Sequence, residues 1–167
     1  MRTFSVSPTI TDLTDVGVFL AMRPKGETVC TVGRISLSGT LGQNKSIGLA
    51  VDLFTAVDKT NAIVIGPEVV VRHDVLDLDS NMEILVWKTP PVMAQSAFLG
   101  RARSQRGFWC NNTTASDQAV WSFGGGLLAK PLILRGAQRW LCLSTGDLAA
   151  GSYSGSVVYP SIEWMEG

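Results

Sequence analysis

Histidine is almost absent from this chain, cysteine is sparse, and charge of neither sign predominates. His73 is the single histidine, and Cys30, Cys110 and Cys142 are the three cysteines among 167 residues. No two cysteines have C-x-x-C spacing, so neither a zinc knuckle nor a thioredoxin-like redox pair is supported. Three widely separated cysteines also do not make the dense disulfide framework of a small secreted domain. Cys30 and Cys142 lie inside apolar runs, where a thiol packs as a small hydrophobe, whereas Cys110 stands beside Trp109 in a more polar stretch. The residues leave open one bridge within the chain or one between chains. No apolar run approaches the roughly 18 residues that a membrane helix needs. The first thirty residues, with Asp12, Asp15, Arg23, Lys25 and Glu27, lack the basic-then-apolar order of a signal peptide. Fourteen basic and fourteen acidic side chains cancel. The broad positive field of a duplex-binding protein is therefore missing, as is a basic arm for packaging a genome.

What is present is apolar residue, 46% of the chain, in short runs divided by Gly, Pro, Asn, Asp and Ser. That excludes a disordered chain and predicts one domain, residues 1–167, with a substantial core. The runs have period two. Val16, Val18, Leu20 and Met22 alternate with Gly17, Phe19 and Ala21. Ile47, Leu49, Val51 and Leu53 alternate with Gly48, Ala50 and Asp52, a strand with one buried face. Further extended runs fall at Val29 to Leu37, Ala62 to Ile65, Val69 to Arg72, Glu83 to Lys88, Ala119 to Phe123 and Leu132 to Leu134. Arg139 to Leu143 is apolar on both faces, which places it centrally between packed layers. Tyr153 to Met165 is the last long segment, and Pro160 predicts an edge or a bulge near its middle. A short stretch between Pro91 and Leu99 carries some helical character. Eight to ten strands without alternating helices predict an all-β sandwich of two sheets.

Chemistry-bearing residues are few. Arg101, Arg103 and Arg106, with Trp109 close behind, make one local basic-aromatic stretch that suits a subunit or ligand contact. Upstream, Glu68, Asp74, Asp77, Asp79 and Glu83 surround the single Arg72, so the acidic 74–83 turn is a possible counterpart on another copy. His73 beside Asp74 has no H-E-x-x-H partner pattern, and neighbours in a strand point to opposite faces. Ser154-Gly155-Ser156-Val157 faintly resembles the serine loop of trypsin-like proteases, with His73, Asp117 and Ser154 in that family's chain order. Tyr153 and Val157 replace the family's aspartate and proline, and only thirteen residues follow Ser154. Gly124-Gly125-Gly126 before Lys130 lacks the ending of a phosphate loop, and Asn111 to Thr114 holds two overlapping N-x-[ST] acceptors. Trp87, Trp121 and Trp140 lie within strand-like runs and read as core, leaving Trp109 as the candidate for exposure. No metal or cofactor pattern emerges, and the chain reads as a non-enzyme.

Near the C-terminus, Trp140-Leu141-Cys142-Leu143, Ser144-Thr145-Gly146-Asp147 and Gly151-Ser152-Tyr153-Ser154-Gly155-Ser156-Val157-Val158-Tyr159 follow one another. Together they resemble the closing strands of small jelly-roll virus coat proteins. The resemblance implies an eight-stranded jelly roll whose copies, or other virion proteins, are its partners in a shell, located in the virion or in host cytoplasm before assembly. Ala150-Gly151-Ser152-Tyr153 also resembles the end of pilus subunits, whose usual secretion signal and cysteine pair are missing here. A carbohydrate-binding or adhesin-like sandwich, with a glycan as partner, is the alternative.

Overall fold

The structure is a computed structural model that describes residues 1–11, 17–40, 45–110, 118–124, 130–146 and 157–167, with backbone alone for 40, 45–47, 104–110 and 146. The described residues form thirteen strands. In chain order they are β1 (Arg2–Val6), β2 (Ile10–Thr11), β3 (Gly17–Pro24), β4 (Val29–Thr40), β5 (Lys45–Phe54), β6 (Ile63–Val64) and β7 (Val71–Arg72). Then come β8 (Met82–Val86), β9 (Phe98–Cys110), β10 (Ala119–Ser122), β11 (Leu132–Arg135), β12 (Trp140–Gly146) and β13 (Val157–Glu166). Three of these are two-residue ladders, and the other ten fall within the expected range. The helical character expected between Pro91 and Leu99 is reduced to one 3-10 turn, Gln95–Ala97, because Pro90 and Pro91 hold the chain extended before it.

Every pairing is antiparallel, and the strands sort into two sheets. The first runs β10-β4-β13-β1-β7, with β11 also on β4 and β2 also on β13; the second runs β6-β8-β3-β12-β5-β9. β10 lies against Arg34–Leu37 and β11 against Val29–Val32, so together they line one edge of β4. Counting β10 and β11 as one strand, the eight principal strands are β1, β3, β4, β5, β9, β10/β11, β12 and β13. Numbered in that sequence, their sheet orders are 1-8-3-6 and 2-7-4-5. That interleaving of two Greek keys is the jelly roll.

The sheets face each other through side chains of alternating residues. Cys30, Val32, Ile35 and Leu37 of β4 and Val158, Ile162 and Trp164 of β13 meet Leu20, Met22, Leu49, Val51, Leu141 and Leu143 of the second sheet. The far face of the second sheet is also buried. Val18, Ala21, Phe54, Leu85, Trp87, Trp140 and Cys142 form a second cluster there, with Ala97 packed on it. The cover is the long connection from β5 to β9, residues 55–97, which supplies Val57, Ala62 and Met93 to that cluster. The same connection adds β6 beside β8 in one sheet and β7 beside β1 in the other. β5, expected to bury one face, therefore buries Ala50 and Asp52 on the other as well.

β13 is an interior strand rather than the edge that Pro160 suggested. Val6 pairs with Ile162 and Ile10 with Val158, so the ladder breaks where Pro8 stands opposite Pro160. Neither proline has an N–H to give, and the break removes the need for one. Ser7 Oγ and Ser161 Oγ, 2.9 Å apart, span the gap. The irregularity in the β13–β4 register falls later, between Glu163 and Trp164.

Candidate functional site: an aliphatic tip and a sheet cleft

The basic stretch lies along β9, the outermost strand of the second sheet. Arg101 is not a free contact charge. Its Nε donates to Asp52 Oδ1 at 2.9 Å and its Nη2 to Oδ2 at 3.4 Å. That hydrogen-bonded carboxylate raises the Arg101 pKa further. Arg103 is exposed; its guanidinium lies 5.4 Å from the centre of the Phe123 ring and donates to the Ala102 carbonyl. Arg106 and Trp109 continue along β9, Trp109 opposite Ser46, and their side chains lie outside the described residues.

The acidic stretch divides in two. Glu83 belongs to the sandwich itself, where Arg23 Nη2 approaches it at 2.6 Å and Lys59 Nζ at 2.5 Å. Both cations also lie over the Trp140 ring, at 4.5 and 5.4 Å from its centre. Burial opposes the Glu83 charge, but the hydrogen bonds and charges of Lys59 and Arg23 outweigh it and hold the carboxyl below its ordinary value. Glu68 precedes β7 in a 3-10 turn, Pro67–Val69, and Asp74, Asp77 and Asp79 belong to a tip after β7. Asp74 Oδ1 accepts the Leu76 N–H at 2.9 Å, and Arg72 donates to the Asp77 carbonyl and sits 3.6 Å from Asp79. This local bonding shapes a turn that turns its aliphatic side chains outward: Val75 is 84% exposed, Leu76 87% and Leu78 74%. Val71 and Val69 are exposed alongside. Singly exposed apolar residues are ordinary, whereas a run of them on one segment makes it a candidate contact surface.

His73 does not enter a catalytic constellation among the described residues. Its Nε2 lies 3.1 Å from Ser5 Oγ, and its backbone N–H donates to the Thr3 carbonyl. Asp117 and Ser154, the other members of the protease-like order, lie outside the described residues, as do Gly125, Gly126 and Asn111 to Thr114. No group of three or more His, Cys, Asp or Glu could hold a metal among the described residues. Trp87, Trp121, Trp140 and Trp164 are all buried, and Trp87 Nε1 donates to the Thr60 carbonyl. Burial pushes the Cys30 and Cys142 thiols far up, with Glu166 and Asp52 respectively adding to it, so both are inert packing groups. The Cys110 side chain is outside the described residues.

A second feature had no motif to announce it. A cleft of about 420 Å³ opens on the outer face of the second sheet, beneath the 55–97 connection. Its walls are Val18, Phe54, Pro90, Pro91, Val92 and Met93, and its polar floor is Asp52 and Ser144. Ser144 Oγ donates to Asp52 Oδ2 at 2.9 Å. Asp52 is only 4% exposed, and its carboxylate is held between this hydroxyl and Arg101. The hint in the sequence was a carboxylate in mid-strand, on the side of β5 opposite Leu49 and Val51.

No protein-family model matches the chain, and no curated protein matches it. Among solved structures it is similar to a chain of the structure of infectious bursal disease virus Gx strain, at 16% identity and a TM-score of 0.13. That alignment covers 97% of this chain and 42% of the viral one, so the chain spans about two fifths of the length of the protein it matches. A likeness at that TM-score carries no argument, and the jelly-roll assignment stands on the strand order and register alone.

Proposed function

We propose that the chain is a structural component of a virion or similar protein particle, and that it acts by non-covalent contact with copies of itself or with other virion proteins. The observation that carries the reading is the aliphatic tip of Val75, Leu76 and Leu78, set among Asp74, Asp77 and Asp79 on a projection from a jelly-roll body. Burying such side chains against another subunit yields roughly 25 cal/mol per Å² of apolar surface, while the acids around them set orientation. The opposite sign is offered by β9, with Arg103 exposed on it and Arg106 and Trp109 further along the strand. Zero net charge removes the long-range repulsion that would oppose dense packing. On this reading the protein is not an enzyme and resides in the particle, or in host cytoplasm before assembly.

Sedimentation velocity on purified protein tests it. The wild type should form a discrete multimer that loosens between about 0.1 M and 1 M salt, as screened contacts do. Leu76→Asp with Leu78→Asp should return it to monomer, with an unchanged circular dichroism spectrum because both positions are exposed. Arg103→Glu should weaken assembly in the same direction. A wild type that is monomeric at all concentrations, or a multimer indifferent to the tip substitutions, would sink self-assembly through the tip.

A further inference from the structure

The geometry of the cleft points to a second activity, independent of assembly: we infer that it binds a neutral hydroxylated ring, the chemistry of a saccharide unit. Asp52 brings one negative charge to the floor, and Arg101 cancels it through two hydrogen bonds at 2.9 and 3.4 Å. A cationic guest therefore gains little over water, and an anionic guest meets a carboxylate that is already in place. What the floor still offers is hydrogen bonding. A carboxylate has about four acceptor positions, more than Ser144 and Arg101 fill, and the Ser144 oxygen keeps its own lone pairs.

The walls select the rest of the guest. Val18, Phe54, Pro90, Pro91, Val92 and Met93 offer flat aliphatic and aromatic surface on which the C–H face of a pyranose packs while its hydroxyls reach the floor. A volume of about 420 Å³ lies within the range of small-molecule sites, which combine apolar lining with a few fixed polar groups. The floor is preorganised. Asp52 and Ser144 are both more than nine-tenths buried, and they come from adjacent strands, β5 and β12, in the centre of the second sheet. A ligand hydroxyl thus meets polar atoms already fixed in place, which lowers the ordering cost of binding.

The test uses the intact chain with methyl α-glucoside and methyl β-galactoside as probes, and with choline and sialic acid as charged controls. Saturation-transfer NMR should detect a glycoside, and the methyl groups of Val18, Val92 and Met93 should shift on titration. Asp52→Asn should weaken binding at least tenfold. Val92→Asp removes part of the wall at a solvent-exposed position and should weaken it at least fivefold, which decides the matter if Asp52→Asn fails to fold. The inference is overturned if neither glycoside binds, if choline or sialic acid binds as tightly as the neutral probes, or if Val92→Asp leaves the affinity unchanged. None of these outcomes bears on particle formation, which sedimentation reads separately.

Discussion

Replacing Glu166 by glutamine removes the charge at the end of β13 and keeps the shape. The carboxylate is 1% exposed and accepts on both oxygens. Oε1 takes the Trp164 Nε1–H at 2.9 Å and the Ser80 hydroxyl at 2.5 Å; Oε2 takes the Asn81 backbone N–H at 3.0 Å and faces Arg2 Nη2 at 3.5 Å. All its neighbours are donors. A glutamine must point its own NH2 at one of these pairs, whichever way the amide is turned. With the NH2 at the Oε1 position the Trp164 and Ser80 hydrogen bonds are lost, and with it at Oε2 the Asn81 hydrogen bond and the Arg2 ion pair; each hydrogen bond to a charged acceptor contributes about 1.5–3 kcal/mol. Ser80 can rotate its hydroxyl and the exposed Asn81 can recover a partner from water, whereas a buried Trp164 cannot. We expect a net loss of about 3 kcal/mol. In a chain of this size each kcal/mol lowers Tm by about 2–4 °C, so calorimetry at neutral pH should show a drop of about 6–12 °C. Urea unfolding should show a lower midpoint at an unchanged slope. A drop under about 2 °C would refute the view that this carboxylate ties β13 to the root of β8.

The two described cysteines should resist a water-soluble thiol reagent in the native protein and react only on unfolding, because burial keeps them as thiols; rapid native labelling at Cys30 or Cys142 would contradict their placement. Glu83 predicts an acid limb. Its folded pKa is depressed, so the stability it contributes is present above the ordinary glutamate range and is lost as pH falls toward its lowered value. Melting temperatures between about pH 5 and about pH 3 should fall less steeply for Glu83→Gln than for the wild type, and parallel curves would count against the Arg23–Glu83–Lys59 cluster.

The sheet-to-sheet core was legible because its signal is local. Leu49 and Val51, Leu141 and Leu143, and Ile84 and Val86 alternate in sequence as they do in space. Trp140 and Cys142 announced a strand covered on both sides, and they lie in the second cluster. What covers them was not legible. Apart from β8, the segment from 55 to 97 consists of two-residue ladders, 3-10 turns and proline, none of which has a period to detect. Pro160 signalled an edge or a bulge. The edge fails, because the register brings Pro8 opposite it in an interior strand, while an irregularity does fall in β13, between Glu163 and Trp164. The site residues divide along the same line. Arg101 stood out as a member of a basic run, yet its role is fixed by Asp52, forty-nine positions away, through pairing of β5 with β9. Leu76 and Leu78 looked like part of a polar turn because aspartates flank them, and only the structure shows how far their side chains are exposed.

The 55–97 connection is what distinguishes this sandwich from a bare jelly roll, and its anchoring bears on how the tip works. One arm is stitched to the second sheet by β6, by the Trp87–Thr60 hydrogen bond and by Lys59 on Glu83. The other is stitched to the first sheet by β7 on β1 and by Ser80 and Asn81 on Glu166. The tip at 73–79 is thus a short projection held at both ends by the rigid body rather than a long loop free to wander. Holding Val75, Leu76 and Leu78 in place before they meet a partner lowers the ordering entropy that association must overcome. Loosening either anchor should therefore weaken assembly even where the aliphatic side chains are untouched. Glu166→Gln, assayed well below its melting temperature, separates the two contributions. Folded protein with a lowered assembly constant would show that anchoring matters, and unchanged assembly would leave the tip's side chains as the whole of the contact.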